Sequence, residues 1–244
     1  MSKIRTLAKR YMPDFAFALY KAIRDKERNR ILANAKNRSE IFSAVYSNKM
    51  WGGSGSGFYS GYGSHDDSIV EPYIAAVQAY LESRPSKPDI CDLGCGDFSV
   101  GSRLRPYCGR YIAADIVPEL IAWNKEHYSD AGVEFRQIDI VTDPLPDADV
   151  VFIRQVFQHL SNSDIAQTLP KLSKYSALIV TEDVPRGNFT PNHDKRAGFD
   201  VRLSYGSGVD ITEAPFNFRV KSKKVLFVAD CGDNQIRTTL YEPD

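Results

Sequence analysis

The sequence predicts an α/β fold built on a doubly wound, mostly parallel sheet. Short apolar runs alternate with helix-like segments between residues 89 and 182, as in a parallel sheet with helices on both faces. Residues 92–101 (DLGCGDFSVG) place two glycines, one residue apart, between the first run and a helix. Glycine permits a tight turn and a close ligand, and a helix N-terminus offers unpaired N–H donors. This turn is therefore a predicted ligand site.

The predicted helices follow from their caps and their periodicity. A helix over residues 67–82 has Asp66 or Asp67 as its N-cap. A second helix, over residues 118–128, has Pro118 in its first turn. The other predicted helices cover residues 99–107 and residues 163–173, the latter with Asn162 or Ser163 as its cap.

The predicted strands are short and regularly spaced. They cover residues 89–93, 110–115, 133–139, 149–153 and 177–182, and then 224–229 and 235–241. Residues 183–219 show no clear periodicity, and loops of this length are usually functional or partly disordered.

Residues 1–66 are predicted to form an N-terminal cap that begins with a basic helical segment. Residues 1–40 hold eleven Lys or Arg against four Asp or Glu, although the net charge of the chain is zero. Five apolar residues recur at near-helical spacing and would form one apolar stripe on a helix, interrupted near Pro13: Ile4, Leu7, Tyr11, Phe15 and Leu19. The segment is either an arm that contacts an anionic membrane or a polyanionic glycan, or a solvated helix packed on the core. Nucleic-acid binding is not predicted, because the remainder is acidic and lacks a recognition motif.

The cap ends in a Gly/Ser-rich stretch, residues 51–64, that also contains Trp51, Phe58, Tyr59 and Tyr62. A plain flexible linker is one interpretation. The aromatic residues favour the other, an ordered loop that folds over the ligand, because burial or stacking of these rings stabilises one conformation.

The length of the remaining chain predicts one further domain, and the cysteine content predicts a protein of a reduced compartment. Residues 67–244 suffice for a single large α/β domain. The four cysteines show no C-x-x-C spacing, and no apolar run reaches the eighteen or so residues needed to span a bilayer. No secretory signal is recognisable, so a cytoplasmic protein is predicted.

Carboxylates follow the first three predicted strands, at Asp92, Asp115 and Asp139. This series suits a ligand with a ribose, an adenine amine and a cationic amino-acid tail. With Gly94 and Gly96 it resembles the class I S-adenosylmethionine (SAM)-dependent methyltransferases. The resemblance implies a Rossmann-like fold with a seven-stranded, mostly parallel sheet and a reversed last strand, here with the N-terminal helical cap added.

The resemblance also implies the cofactor and its contacts. Gly94 and Gly96 would cradle the methionine part of SAM, Asp115 would take the ribose hydroxyls, and Asp139 with Ile140 would take the adenine edge. Ile116, directly after Asp115, is a further cofactor-binding candidate. Asp92 belongs to the same motif, and Trp51 and Arg154 are further candidates for cofactor contacts. One departure is Phe98, which stands where the family has a third glycine.

A narrower resemblance is to a bacterial methyltransferase group associated with surface-polysaccharide genes. It rests on Trp51-Gly52-Gly53 and on residues 94–98, 154–161, 192–194 and 215–218. It implies a small polar acceptor, a hydroxyl of a sugar or sugar phosphate. Another small metabolite, such as a natural product or a phosphoramidate-type group, and a non-catalytic partner subunit are the alternatives.

Candidate catalytic and acceptor residues come from the end of the fourth strand and from the long loop. His159 and His193 are candidate general bases, since imidazole is the side chain most often used to remove a proton. Gln155, Asn192, Asp194 and Arg202 are candidate acceptor contacts, with loop ordering as the alternative for the last three. No metal site is predicted, because no ligand spacing stands out.

Overall fold

The computed structural model describes residues 23, 26, 28, 30–53, 55 and 57–244. Seven strands of this part of the chain form one sheet: β1 (Ile90–Leu93), β2 (Tyr111–Asp115), β3 (Glu134–Gln137), β4 (Val150–Arg154), β5 (Ala177–Pro185), β6 (Val220–Asp230) and β7 (Asn234–Pro243). Their order across the sheet is β3-β2-β1-β4-β5-β7-β6. Strands β1 to β5 are parallel, and β7 runs antiparallel to β5 and β6. The predicted mostly parallel sheet with a reversed last strand is confirmed.

Helices alternate with the parallel strands. They are α1 (Arg38–Ser47), α2 (Asp67–Glu82), α3 (Gly101–Leu104), α4 (Pro118–His127) and α5 (Asn162–Thr168). Short 3₁₀ turns lie at Tyr62–Ser64, Arg105–Tyr107, Ser129–Ala131, Phe157–His159, Leu169–Leu172 and Arg202–Tyr205.

The main core consists of two apolar clusters, one on each face of the sheet. Successive strand residues point to opposite faces, so Leu93 of β1 belongs to one cluster and Ile90 to the other. α5 contributes Ile165 to the first cluster, and α2 contributes Val77 to the second. Strands β1 and β2 are buried along their whole length, which explains why they read as continuous apolar runs.

The strand order reverses at β1. This strand pairs in parallel with β2 on one side and with β4 on the other. In an open α/β sheet the connections leave such a strand pair in opposite directions, and a crevice forms outside the carboxyl ends. The glycine turn that follows β1 therefore lies at the crevice.

The start of α5 differs from the prediction. Its N-cap is Ser161, not Asn162 or Ser163, because Ser161 and Asp164 form a reciprocal capping box. Asn162 instead accepts a hydrogen bond from Arg202 Nη2 at 2.8 Å. Asp66 caps α2, one of the two predicted positions.

The predictions for the two ends of the chain can also be compared with the structure. Strands β6 and β7 extend several residues beyond the predicted limits, because their antiparallel pairing continues into the hairpin turn and towards the C-terminus. The predicted N-terminal apolar stripe and most of the basic segment lie outside the described residues. Among those that are described, no helix is long and apolar enough to cross a bilayer.

Candidate functional site

A cavity of about 1690 Å³ lies at the carboxyl ends of β1, β2 and β4. Its wall includes the glycine turn after β1, one side of α1, and residues 60–64. All nine predicted cofactor residues line it: Trp51, Asp92, Gly94, Gly96, Asp115, Ile116, Asp139, Ile140 and Arg154. The structure therefore brings together residues that the sequence separates by about a hundred positions.

The turn after β1 depends on glycine for both conformation and space. Gly94 and Gly96 have φ angles of +80° and +58°. A Cβ on Gly94 would lie 2.3 Å from Val156 Cγ2, and a Cβ on Gly96 would lie 2.3 Å from Ser60 Oγ. No side chain fits at either position without displacing its neighbour.

Phe98 takes the place of a third glycine without blocking the turn. Its φ of +59° is the left-handed conformation that glycine adopts easily. The ring is fully buried and packs edge-on against Tyr111, Tyr128 and Phe135, with centroid distances of 5.5, 5.1 and 5.0 Å. The side chain thus belongs to the aromatic core, and it leaves the cavity open.

Asp115 lies at the end of β2 with its carboxylate held by backbone donors. It accepts hydrogen bonds from Gly96 N and Val117 N, both at 3.1 Å. Burial raises the pKa of Asp115 to about 6, against the effect of these donors. The carboxylate is therefore fixed in the cavity wall and ionised at neutral pH.

Asp92, which is buried, and Arg154, which is half-buried, are charged residues beside the same turn. Asp92 accepts a hydrogen bond from Tyr111 Oη at 2.9 Å, and burial raises its pKa to about 7. Arg154 donates to Ser64 Oγ at 2.8 Å and to Gly63 O. Its Nε is buried without a partner among the described residues. A guanidinium N–H of this kind is suited to an anionic ligand group.

Asp139, the predicted adenine contact, has a partner from α1. Arg38 donates to both of its carboxylate oxygens, with distances from 2.8 to 3.2 Å, and also reaches Asp164 at 2.9 Å. Burial opposes the charge of Asp139, but the Arg38 contacts hold its pKa below the usual value. The sequence analysis missed Arg38, because 101 positions separate it from Asp139.

The loop before α2 is tied to the glycine turn through Asp97, a second missed residue. Ser60 N donates to Asp97 Oδ2 at 2.9 Å, and Asp97 N donates to Ser60 Oγ at 2.8 Å. His65 Nε2 lies 2.6 Å from the same Oδ2. Burial opposes the charge of Asp97, yet these hydrogen bonds keep its pKa low. Its position directly after Gly96 was the signal that could have found it.

Comparisons with known proteins agree with this geometry. Residues 91–175 match the model of a family described as a methyltransferase domain. The N-methyltransferase NodS from Bradyrhizobium japonicum WM9, solved with S-adenosyl-L-homocysteine (SAH), has a TM-score of 0.55 at 12% identity, over 74% of this chain and 90% of that one. The chain has the class I methyltransferase fold.

Two further methyltransferase structures show the same fold. Magnesium protoporphyrin IX methyltransferase from Synechocystis PCC 6803 with bound SAM gives a TM-score of 0.54 at 14% identity, over 86% of this chain and 99% of that one. Human N-acetylserotonin methyltransferase in complex with SAM gives 0.51 at 17% identity, over 96% of this chain and 68% of that one. No curated protein sequence matches the chain significantly.

The match over residues 91–175 and the fold support SAM as the cofactor. Three features of the structure fit that molecule. Gly94 and Gly96 leave space that a Cβ would fill, and Asp115 presents a carboxylate of the kind that binds ribose hydroxyls. Arg154 lines the same cavity, and its Nε, which has no partner within the described part of the chain, suits a carboxylate.

The structure argues against His159 as a general base. The side chain is 9% exposed, and its Nδ1 lies 3.1 Å from Gly198 O and 3.3 Å from Asp200 O. Because a carbonyl only accepts, Nδ1 carries the proton, and Nε2 faces Gln158 Nε2 at 3.3 Å. Burial lowers the pKa of His159 to about 3. A neutral imidazole with both nitrogens engaged orders the loop and does not collect a proton at neutral pH.

The predicted acceptor residues of the long loop also have ordering contacts. Arg202 is fully buried and donates to three backbone carbonyls as well as to Asn162. The Asn192 side chain donates to Asp210 O at 2.8 Å and to Ala214 O at 2.9 Å. The carboxylate of Asp194 accepts from Asn162 N at 2.8 Å.

His193 stacks on Tyr205 with a centroid distance of 4.4 Å. Within the described part of the chain, none of His193, Asn192, Asp194 and Arg202 lines the cavity. The contacts of these residues fit the loop-ordering alternative, and a contact with the acceptor stays a prediction. Their shared signal, a loop rich in polar residues, does not separate the two roles, because cross-linking a long loop needs the same residue types.

Gln155 is the predicted acceptor residue that does line the cavity. It follows β4 with a φ of +56°, and its N donates to Thr181 O at 2.6 Å. Among the described residues, no group of three or more His, Cys, Asp or Glu could hold a metal ion.

Proposed function

We propose that this chain is a SAM-dependent O-methyltransferase whose acceptor is a hydroxyl of a small polar molecule, a sugar or sugar phosphate. The observation that carries the proposal is the size of the cavity. At about 1690 Å³ it exceeds the roughly 300–1,000 Å³ of a pocket for one small ligand. It therefore has room for the cofactor and an acceptor at the same time.

Different residues of this chain would contact different parts of the cofactor. The glycine turn would face the methionine part, Asp115 would accept from the ribose hydroxyls, and Arg154 Nε would donate to the carboxylate. Ile116 and Ile140 line the remaining apolar wall. SAM supplies an activated methyl group on a sulfonium, so the protein contributes mainly proximity and alignment.

The acceptor class has weaker support than the cofactor. Related folds act on unrelated acceptors, so the fold does not select one. The support for a sugar is the sequence resemblance carried by Trp51-Gly52-Gly53 and by residues 154–161, both of which reach the cavity wall.

A defined panel of acceptors tests this proposal. The protein is incubated with SAM and separately with glucose 1-phosphate, UDP-glucose and primary-amine metabolites, and SAH and methylated products are measured by mass spectrometry. We expect SAH together with an O-methylated sugar. Methylation of the amines alone would contradict the hydroxyl acceptor and leave only SAM-dependent methyl transfer to another small metabolite. The absence of SAH with every probe would contradict the proposal.

Replacing Asp115 with alanine should weaken SAM binding by roughly 1.5–3 kcal/mol, the scale of hydrogen bonds to a charged group. This corresponds to about 10- to 150-fold in the dissociation constant. The matched control is Asp130→Ala, an exposed aspartate outside the cavity lining, which should bind SAM as the wild type does. Calorimetry of both variants provides the check. An Asp115→Ala affinity within twofold of wild type would remove Asp115 from the ribose site.

A further inference from the structure

Asp183 lies in the cavity wall next to the predicted cofactor residues. Strand β4 ends at Arg154, which pairs with Thr181 of β5, so Asp183 follows two residues beyond the parallel pairing. There β5 continues beside β7 alone. Carboxyl ends of parallel strands line the ligand crevice in this type of sheet, and Asp183 is part of the cavity lining.

One neighbour holds the Asp183 carboxylate and another holds its backbone. Asn234 of β7 donates from Nδ2 to Oδ1, and Asp183 N donates to Gln158 Oε1 at 2.9 Å. Among the described residues, Oδ2 has no hydrogen-bond partner and the carboxylate forms no ion pair. Asp183 is half-buried. A carboxylate held at one oxygen and free at the other has the geometry of a proton acceptor.

The other buried or half-buried carboxylates that line the cavity are engaged by the protein itself. Each has hydrogen-bond donors or a cation as its partner: Asp66 with Ser68; Asp92 with Tyr111; Asp97 with Ser60, His65 and Ser99; Asp115 with Gly96 and Val117; Asp139 with Arg38; and Asp200 with Lys195. His159 is excluded as a base by its engaged nitrogens. Asp183 remains as a fixed, accessible base at a strand end.

We propose that Asp183 is the general base of the methyl transfer, accepting the proton of the acceptor hydroxyl. This inference rests on the proposed function. As the oxygen–methyl bond forms and the sulfur–methyl bond breaks, the bonding electron pair stays on sulfur, which gives neutral SAH. The hydroxyl proton passes to Asp183 Oδ2, and the resulting carboxylic acid later returns it to water. Charge and atoms balance without any further reactant.

The ionisation of Asp183 agrees with this role. Burial raises its pKa to about 6, partly offset by the hydrogen bond from Asn234. Tyr62 and Cys231 face it, and Glu182 precedes it in β5; burial raises the pKa of all three, that of Tyr62 to about 12 and that of Glu182 to about 8. All three are neutral near pH 6, so Asp183 is the group of these four that changes charge there. A carboxylic acid cannot accept the proton, so kcat should fall as the pH drops through about 6.

The pH dependence of kcat at saturating SAM tests the role. Asp183→Asn keeps the hydrogen bond to Asn234 but removes the base, so we expect kcat to fall by about 100-fold or more and the acidic limb to disappear. SAH affinity should not change. Asp230→Asn removes the same charge from the end of β6, at an exposed ion pair with Arg186, and should leave kcat unchanged. A kcat for Asp183→Asn within threefold of wild type would overturn the assignment.

A chemical measurement keeps the assignment testable even if no probe is methylated. The protein is treated with a water-soluble carbodiimide and glycinamide at pH 6, with SAH present, and the labelled carboxyls are located by peptide mass spectrometry. Asp183 should be labelled, because a base must be reachable by an acceptor. An unlabelled Asp183 beside a labelled Asp230 would overturn the inference. If none of the acceptor probes is methylated, the proposed function is contradicted. The labelling experiment still shows, independently of turnover, whether the Asp183 carboxylate is accessible.

Discussion

Replacing Arg202 with methionine is expected to lower the free energy of unfolding by at least about 3 kcal/mol, since each buried acceptor left unpaired costs roughly 1–3 kcal/mol. The guanidinium is fully buried and donates to His193 O at 2.8 Å and to Phe157 O and Leu160 O at 2.9 Å. A fourth hydrogen bond reaches the side chain of Asn162. Methionine fills similar space but donates nothing, so His193 O, Leu160 O and Asn162 Oδ1 lose their partner together, whereas Phe157 O keeps its hydrogen bond from Leu160 N.

Chemical denaturation of wild type and variant measures this effect. Arg196→Met is the matched control, because Arg196 is an exposed arginine of the same loop. It should change the free energy of unfolding by no more than about 0.5 kcal/mol. If Arg202→Met were as stable as Arg196→Met, the hydrogen bonds of Arg202 would not be holding the loop.

Replacing Phe98 with alanine is expected to cost about 3–5 kcal/mol, the range for truncating a buried phenylalanine. Three aromatic rings lose their central partner, and the alanine keeps the left-handed backbone at φ +59°. Phe98→Gly loses the same contacts but relieves roughly 1–2 kcal/mol of backbone strain. Glycine should therefore be the more stable of the two variants.

The relative stability of the alanine and glycine variants is the informative result. In a regular helix or strand, glycine is less stable than alanine by roughly 0.5–1 kcal/mol, so the expected order is the reverse of the usual one. Thermal unfolding of both proteins gives the comparison. An alanine variant as stable as wild type would show that the Phe98 ring contributes little to the core.

Local patterns predicted the sheet and the glycine turn because their determinants lie close together in the chain. Strands β1 and β2 are buried on both faces and read as apolar runs, and glycines with positive φ follow β1 directly. Asp115 was found because a fixed number of residues separates it from the turn in such folds. The roles of these residues can be predicted without knowledge of distant contacts.

Side chains whose roles depend on distant contacts could not be assigned in this way. The role of Arg202 depends on carbonyl groups about forty residues away, and that of Arg38 on an aspartate 101 residues away. The weak basicity of His159 follows from burial, which the sequence does not show. A polar loop residue that binds a ligand and one that binds its own backbone look alike until the fold is known.

Calorimetry of the purified protein with SAM and with SAH tests the central claim most directly. The glycine turn, the Asp115 carboxylate and the unpartnered Arg154 Nε together predict binding of both molecules, with dissociation constants in the micromolar range, about −8 kcal/mol. Binding of neither molecule to a protein that unfolds cooperatively would contradict the account. It would mean that the fold persists without its cofactor site.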